Sequence, residues 1–327
     1  MDVLSFLLGF VKGKASSSYT DSELGEALDY INGESVYTIR YYDGDTLLKT
    51  EYKPYGSTVD YTPEAREGYV YYWEPRLAIV TADVDYHLMW EEKLSFETAS
   101  WGDIARVSEG GRAAQHFNIG DTKLVDMTPR NMSSAQTAMV SVAIAGFDHD
   151  TLSGGGTAGL SIVAMGVSNR HKSTWGTTTT PCAYGESAVA TKLQSIYSTC
   201  LPADLKSVIR PVTKEVDNSP SNGSKTSLSN LKLWALSYTE MGDTSVFSNL
   251  NQLGKPYPLF PKSNVFMPNG VELIKDVENN AHASYWLRQT DQDSGNPMYV
   301  DENNLVVTST GTVLNSTIRY IRFGFCV

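Results

Sequence analysis

Residues 138–167 carry two near-continuous apolar runs, "AMVSVAIAGFDHD" and "GLSIVAMGV", separated by the glycine-rich "SGGGTAG". Apolar runs of this length, bounded by turn residues, predict central strands buried on both faces with a flexible loop between them. Such strands need covering layers, and helices are predicted on either side of them in the chain. In "WGDIARVSEGGRAAQHF", Trp101, Ile104, Ala105 and Ser108 fall at helical spacing and the glycine pair ends the helix. In "SAVATKLQSIYSTCLPADLKSVI", Leu193, Ile196, Tyr197, Cys200 and Leu201 share one helical face. Pro202 then opens a second helix bearing Leu205, Val208 and Ile209. "TKEVDNSPSNGSKTSLSN" has no apolar period and reads as a surface loop, after which "LKLWALSYTEMG" returns to the core. The C-terminal segments "PMYVD", "LVVTS", "TVLN" and "IRYIRFGFCV" predict a short antiparallel meander whose last strand pairs inside a sheet.

The first ninety residues read differently. "MDVLSFLLGFVKGKASSSY" has an apolar run too short for a membrane span, which needs about 20 such residues. Asp2 stands where a signal peptide would carry positive charge. With the linker "GKASSS" behind it, the segment is expected to be a plug that docks into another protein through Val3, Leu4, Phe6, Leu7, Leu8, Phe10 and Val11; a short helix packed on its own domain is the alternative. "TDSELGEALDYING" predicts one short helix capped by Thr20 or Ser22 and closed by Gly33. From Val36 onward the pattern is strand-like, with "DGD" as a hairpin turn, "KPYGS" as a second turn, and further strands in "EAREGYVYYWEP" and "ADVDYHLMWEEK". The expected organisation is α+β: an N-terminal anchor helix and linker over 1–34, a small β module over 35–93, and a larger domain over 94–327.

Composition and motifs exclude several chemistries. A net charge of −11 without a dense basic patch argues against nucleic acid as a partner. The three cysteines, Cys182, Cys200 and Cys326, include no C-x-x-C pair and read as small buried hydrophobes, with one disulfide among them left open. No G-x-S-x-G elbow accompanies His87, His116, His149, His171 or His282. In "FDHD", Asp148 and His149 would point to opposite faces of a strand, so Asp150 and its neighbours read as a strand-end turn with a self-bonded Asp, not as a metal or catalytic site. Asp121 in "HFNIGDTK" reads as a turn carboxylate on backbone amides. "LSGGGTAGL" lacks the Lys-Ser/Thr of a phosphate-binding loop. "DQDSGN" supplies oxygen ligands but no Glu closing the loop at the twelfth position of a calcium-binding hand. No catalytic residue, metal or cofactor is expected.

A recognition surface suits the C-terminal composition, because such surfaces use aromatics and short adaptable polar groups. Between Arg288 and Arg319 the candidates are Gln289, Asp291, Gln292, Asp293, Asn296, Tyr299, Asn303, Asn304, Thr308, Thr310 and Asn315. Trp286, Leu287, Val306 and Phe323 read as scaffold, and Arg288 as a structural hydrogen bond or ion pair. A solvated meander with no partner is the competing reading.

Two resemblances extend these readings. "YTIRYYDGDTLLKT", "YG", "EGYVYYWEP" and "VTADVDYHLMW" occur in the order of the Listeria–Bacteroides repeat of internalin-like surface proteins, which residues 36–92 resemble. The resemblance implies a β-grasp-like spacer without chemistry. "WGDIARVSEGGRAAQHFNIGDTK", "AIAGFDHD", "LPADLKSVIRPVTK", "KLWALSYTEM" and "SYWLR…FGFCV" make residues 100–327 similar to a domain family of phages and prophages of gut Firmicutes. Its tail pattern resembles the C-type-lectin-like fold, whose ligand-reading residues lie on this C-terminal segment. Together they imply a bacteriophage virion protein, made in the bacterial cytoplasm and carried in the particle. It would be a homo-oligomeric fibre or spike, joined to other virion proteins through its N-terminal segment. The head would bind a glycan or protein on a host-cell or mucosal surface, gaining strength from multivalency. A decoration protein without a receptor and a glycan-degrading tailspike enzyme are the alternatives.

Overall fold

Gly44 holds φ +56° at the first central position of a two-residue turn, with Asp43 paired to Thr46 across it. This is the backbone that lets a tight hairpin follow the natural strand twist, and a glycine adopts it without strain. The turn joins β1 (Val36–Asp43) to β2 (Thr46–Pro54) in the computed structural model, which describes residues 35–131, 137–178, 180–217, 224–242, 251–260, 275–278, 280–291, 294–301, 306–308 and 314–327. β3 (Tyr69–Glu74) and β4 (Val84–Glu92) are antiparallel, and β4 runs parallel to β1, giving the sheet order β2-β1-β4-β3. Among the described residues this unit has no helix, so its one-sided core is filled by rings. Tyr41 meets Tyr61, Trp73 and Tyr86 at centroid distances of 4.9, 5.3 and 5.7 Å. The Trp73 indole donates to the Tyr61 carbonyl at 3.0 Å, satisfying its one polar atom. The expected plug, with Val3 through Val11, and the helix expected over 20–33 lie outside the described residues.

The chain divides between Lys93 and Leu94 into two compact units. The second is mixed α and β, dominated by strands. It begins with α1 (Trp101–Glu109), α2 (Ala113–His116), β5 (Thr122–Asp126), β6 (Met139–Phe147), β7 (Leu160–Ala164), β8 (Gly166–Val167) and β9 (Lys172–Ser173). Next come α3 (Ala188–Thr199), α4 (Ala203–Val208), β10 (Val212–Asp217), β11 (Lys225–Leu231), β12 (Trp234–Ala235) and β13 (Lys275–Asp276). The unit closes with β14 (Tyr285–Thr290), β15 (Pro297–Val300), β16 (Val306–Thr308), β17 (Arg319–Ile321) and β18 (Phe323–Cys326). Ser100 caps α1, its hydroxyl accepting from the Asp103 amide at 3.1 Å, and Ser187 caps α3 through the Ala190 amide, also at 3.1 Å.

The two apolar runs become β6 and β7, in a five-stranded antiparallel sheet of order β12-β18-β7-β6-β5. Alternation splits their side chains between two cores. Val140, Val142, Ile144, Leu160 and Ile162 pack with Trp101, Ile104 and Val107 of α1 and with Leu193, Ile196 and Leu205 of α3 and α4. Ala145 and Val163 face the other way, toward Val212, Trp234, Leu236, Tyr257 and Phe260. The buried face of α1 runs through Val107, while Ala105 is only half-buried. Cys200 and Cys326 are buried and Cys182 is half-buried, and all three are free thiols.

The end of the chain departs from a simple antiparallel meander. β14, β15 and β16 pair antiparallel in turn, but β17 runs parallel to β14 and antiparallel to β9, completing the sheet β16-β15-β14-β17-β9. After a single residue, Arg322, the same segment enters the first sheet as β18, between β12 and β7. Gly324 makes this insertion feasible: a Cβ there would lie 2.8 Å from the Trp234 ring. Of the expected "TVLN" strand, Leu314 and Asn315 belong to a turn, and residues 312 and 313 lie outside the described residues.

The segment "TKEVDNSPSNGSKTSLSN", expected to be a surface loop, begins and ends in strands. These strands are β10 and β11, an antiparallel pair. Val212, Lys214 and Val216 of β10 are buried while Thr213 and Glu215 are half-buried, a period of two concealed by a lysine at an inward position.

His171 lies at the junction of the sheets, fully buried, with its ring edge-on to Phe323 at 5.7 Å. Neither ring nitrogen has a hydrogen-bond partner among the described residues. Burial, with Lys192 adding to it, lowers its pKa to about 4. The folded state therefore holds the neutral ring, and protons bind the unfolded chain first as pH falls below about 6.5. Stability is expected to drop by up to about 3 kcal/mol between roughly pH 6.5 and 4. Urea midpoints across that window should show the decline in the wild type and a flatter profile in His171→Phe.

Candidate functional site

All six residues of β14 are buried, including the polar run Arg288, Gln289 and Thr290. A buried polar group is costly unless hydrogen-bonded, and each of these is hydrogen-bonded within the protein. Arg288 forms a bidentate pair with Glu240, Nη1 donating to Oε2 and Nη2 to Oε1, both at 3.0 Å. It also donates to the carbonyls of Ala235 at 2.7 Å and Glu215 at 2.9 Å. The Gln289 amide oxygen accepts from the Tyr238 amide, and its nitrogen donates to the Asn251 carbonyl at 2.6 Å. The Thr290 backbone amide and hydroxyl donate to Asp217 Oδ2 at 2.8 and 3.1 Å. Gln289, expected on a ligand-reading surface, is therefore a core residue whose amide oxygen and nitrogen are both hydrogen-bonded within the protein.

Glu240 is shared. Lys214 Nζ donates to Glu240 Oε1 at 2.7 Å, to Asp150 Oδ1 at 2.5 Å and to the Tyr257 hydroxyl at 2.9 Å. The Tyr257 hydroxyl donates in turn to Asp150 Oδ2 at 2.8 Å. The Lys214 ammonium also sits 4.1 Å from the Trp234 ring centroid. Two cations and two anions thus balance in a region with almost no solvent contact. Burial pushes the Asp150 carboxyl up, but the His149 hydrogen bond and the Lys214 ammonium outweigh it and hold the group well below the usual carboxylate range. For Glu240, burial is likewise outweighed by the charges of Arg288 and Lys214, so its pKa is lowered. Burial, reinforced by both carboxylates, drives the Tyr257 phenol well above its ordinary value. Asp150 was expected to bond within its own turn. Asp148, at φ 47°, ends the strand and redirects the chain so that Asp150 points inward.

The surface part of the candidate site begins after Thr290. Asp291 Oδ1 accepts from the Ser294 amide at 2.8 Å and hydroxyl at 2.7 Å, and the Asp291 amide donates to the Asn296 carbonyl at 2.8 Å. With Gly295 at φ +67°, this makes the turn between β14 and β15 tight and self-bonded. Half-buried Tyr299 stands edge-on to Trp286 at 5.9 Å, and the Arg319 guanidinium lies over the Tyr299 ring at 3.5 Å. Asn296 is half-buried and Asn315 exposed. Thr308 pairs with Met298 in the backbone ladder. Gln292, Asp293, Asn303, Asn304 and Thr310 lie outside the described residues. Trp286, Leu287 and Phe323 are fully buried scaffold, as their composition suggested. Asp121 accepts from the Asn118 amide at 2.8 Å in the expected turn. Among the described residues no cluster of three His, Cys, Asp or Glu is arranged to hold a metal, and no helix is long and apolar enough to cross a membrane.

These features define a β-rich domain with a buried, hydrogen-bonded charge cluster beside β14 and a polar turn following that strand. The chain belongs to the DUF6273 family, described as a domain of unknown function, which it matches over residues 161–327. No curated protein and no solved structure matches the chain.

Removing one member of a buried ion cluster strands the others, at a cost of about 3–5 kcal/mol. Glu240→Gln, nearly isosteric, should lower unfolding stability by that amount, read from urea denaturation of the full chain. A loss below about 1 kcal/mol would mean that the cluster behaves as an exposed pair.

Proposed function

We propose that the protein is a bacteriophage virion component that attaches the particle to a host-cell or mucosal surface. Residues 94–327 would be its C-type-lectin-like head, 35–93 a β-grasp-like spacer, and 1–34 the segment docked into other virion proteins. The observation that carries this reading is the division of labour around β14. The polar side chains of Arg288, Gln289 and Thr290 are spent inside, while half-buried Asp291 and Asn296 lie in the turn after that strand, half-buried Tyr299 lies on β15, and exposed Asn315 lies on the segment leading into β17, the strand paired with β14. Adaptable polar groups on a rigid frame are what a recognition surface requires. The resemblance of residues 100–327 to a phage and prophage family supports placing such a head on a particle. Several weak heads in a symmetric oligomer would act through avidity, not through any one strong contact.

The full-length protein should bind host cells or mucin-coated surfaces, and particles lacking it should adsorb poorly. Asn296→Ala and Asn315→Ala should each leave Tm within about 2 °C and together reduce surface binding several-fold. Particles that lose integrity without the protein, with no surface binding by the chain, would indicate a decoration role instead.

A further inference from the structure

A groove of about 360 Å³ lies between α3 and β11, away from the β14–β15 turn. Its size falls at the lower end of the range for small-molecule sites. The floor is apolar: Tyr184, Leu193 and Leu233 are buried and Leu228 half-buried. The rim is polar and exposed, carrying Gln194 from α3 and Asn230 and Lys232 from the opposite wall.

Three local features build that rim. The β10–β11 ladder shifts register between Val212↔Leu231 and Lys214↔Leu228, so Ser229 and Asn230 oppose the single residue Thr213. This is a β-bulge, a device that re-aims side chains and is frequent beside functional sites. Asn230 takes φ 62°, a left-handed conformation that asparagine tolerates better than most residues. The bulge is pinned from behind, with the Asn230 amide donating to Ser153 Oγ at 2.8 Å and the Ser229 and Thr213 hydroxyls 3.0 Å apart. At the far end Gly185 lets the chain close on Leu228, whose Cδ1 would lie 3.0 Å from any Cβ there.

Lys232 supplies the groove's charge. Its ammonium donates to the Tyr197 hydroxyl at 3.1 Å and lies 4.4 Å from that ring's centroid, and Tyr197 is itself fixed by donating to the Lys206 carbonyl at 3.3 Å. No carboxylate among the described residues forms a salt bridge with it. A positioned cation above an apolar floor, in a chain of net charge −11, is matched by a ligand carrying one negative charge and a small apolar group. We infer that the groove binds an acetamido sugar bearing a carboxylate. The carboxylate meets Lys232, the acetamido methyl rests on Leu193 and Leu233, and ring hydroxyls bond Gln194 and Asn230. This inference rests on the surface-attachment reading above and adds to it a second binding site, with a ligand class of its own. Such sugars come from two sources, terminal sugar acids of mucosal glycans and the lactyl-bearing sugar of bacterial cell walls.

Titration calorimetry or ligand-observed NMR on the full chain separates the cases, with N-acetylneuraminic acid, N-acetylmuramic acid and neutral N-acetylglucosamine as probes. One acid should bind about tenfold tighter than the neutral sugar, the scale of a charge-assisted hydrogen bond, and which acid does so identifies the source. Lys232→Gln should abolish that preference, while Lys232→Arg should largely keep it. Equal binding of acid and neutral sugars, an unchanged preference in Lys232→Gln, or no binding of either acid would overturn the inference. Surface adhesion distinguishes the two levels. If the wild type and Lys232→Gln adhere equally, the groove assignment fails while attachment stands. If the wild type does not adhere to any host surface, attachment fails, and the sugar titrations still decide the groove.

Discussion

Lys214 is the residue on which the architecture of the larger unit converges. Its ammonium is bound by Asp150, from the turn after β6, by Glu240, from the segment after β12, and by Tyr257, and Glu240 passes the contact on to Arg288 of β14. Lys214 lies on β10 and Arg288 on β14, while Asp150, Glu240 and Tyr257 come from segments that follow β6 and β12, so the cluster joins parts of the chain far apart in sequence. Hydrophobic burial drives such elements together, but apolar contacts are non-directional and separate arrangements of similar burial only weakly. A buried charge without its partner costs several kcal/mol, so packings that separate the four charged side chains, Lys214, Asp150, Glu240 and Arg288, are penalised. The cluster is therefore better understood as selecting one arrangement than as adding net stability, since desolvation consumes most of the Coulombic gain.

The same cluster explains why part of the fold was hidden in the sequence. β6, β7, α1 and α3 were legible because their buried positions are apolar and their periods intact. β10 was not, because Lys214 occupies an inward position and interrupts the alternation of Val212 and Val216. "FDHD" suggested a local turn because a carboxylate that ends a strand usually bonds nearby amides; its true partner lies 64 residues away. Gln289 looked like a surface residue for a related reason. A polar residue next to an acidic run reads as exposed, and only the three-dimensional supply of the Tyr238 amide and the Asn251 carbonyl makes its burial tolerable. Arg288, flanked by Trp286 and Leu287, was recognisable as structural because an apolar neighbourhood leaves an arginine few other roles.

The C-terminal crossover adds a second constraint of the same kind. Because β17 and β18 are separated only by Arg322, the two large sheets cannot move independently. Arg322 is itself buried, donating to the Ala164 carbonyl at 3.0 Å, with its guanidinium 4.9 Å from the Phe260 ring. The parallel pairing of β17 with β14 was not visible in the sequence, since "IRYIRFGFCV" looks like one uninterrupted strand. The switch of sheet occurs at an arginine, not at a glycine or proline, so no turn signal marks it.

Alternation along β10 connects this interior to the groove beside α3. Lys214 turns inward to the charges, whereas its neighbour Thr213 turns outward and approaches the Ser229 hydroxyl at the bulge. Shifting β10 by one residue would exchange these roles, burying a threonine among unpaired acids and exposing the lysine. The bulge could then no longer be held opposite Thr213, and Asn230 and Lys232 would lose their positions on the rim. The buried charges thus hold the groove from behind, and a disturbance at Glu240 would reach it through the register of β10 and through Arg288 and Ala235, whose amide donates to the Tyr184 hydroxyl at 2.9 Å.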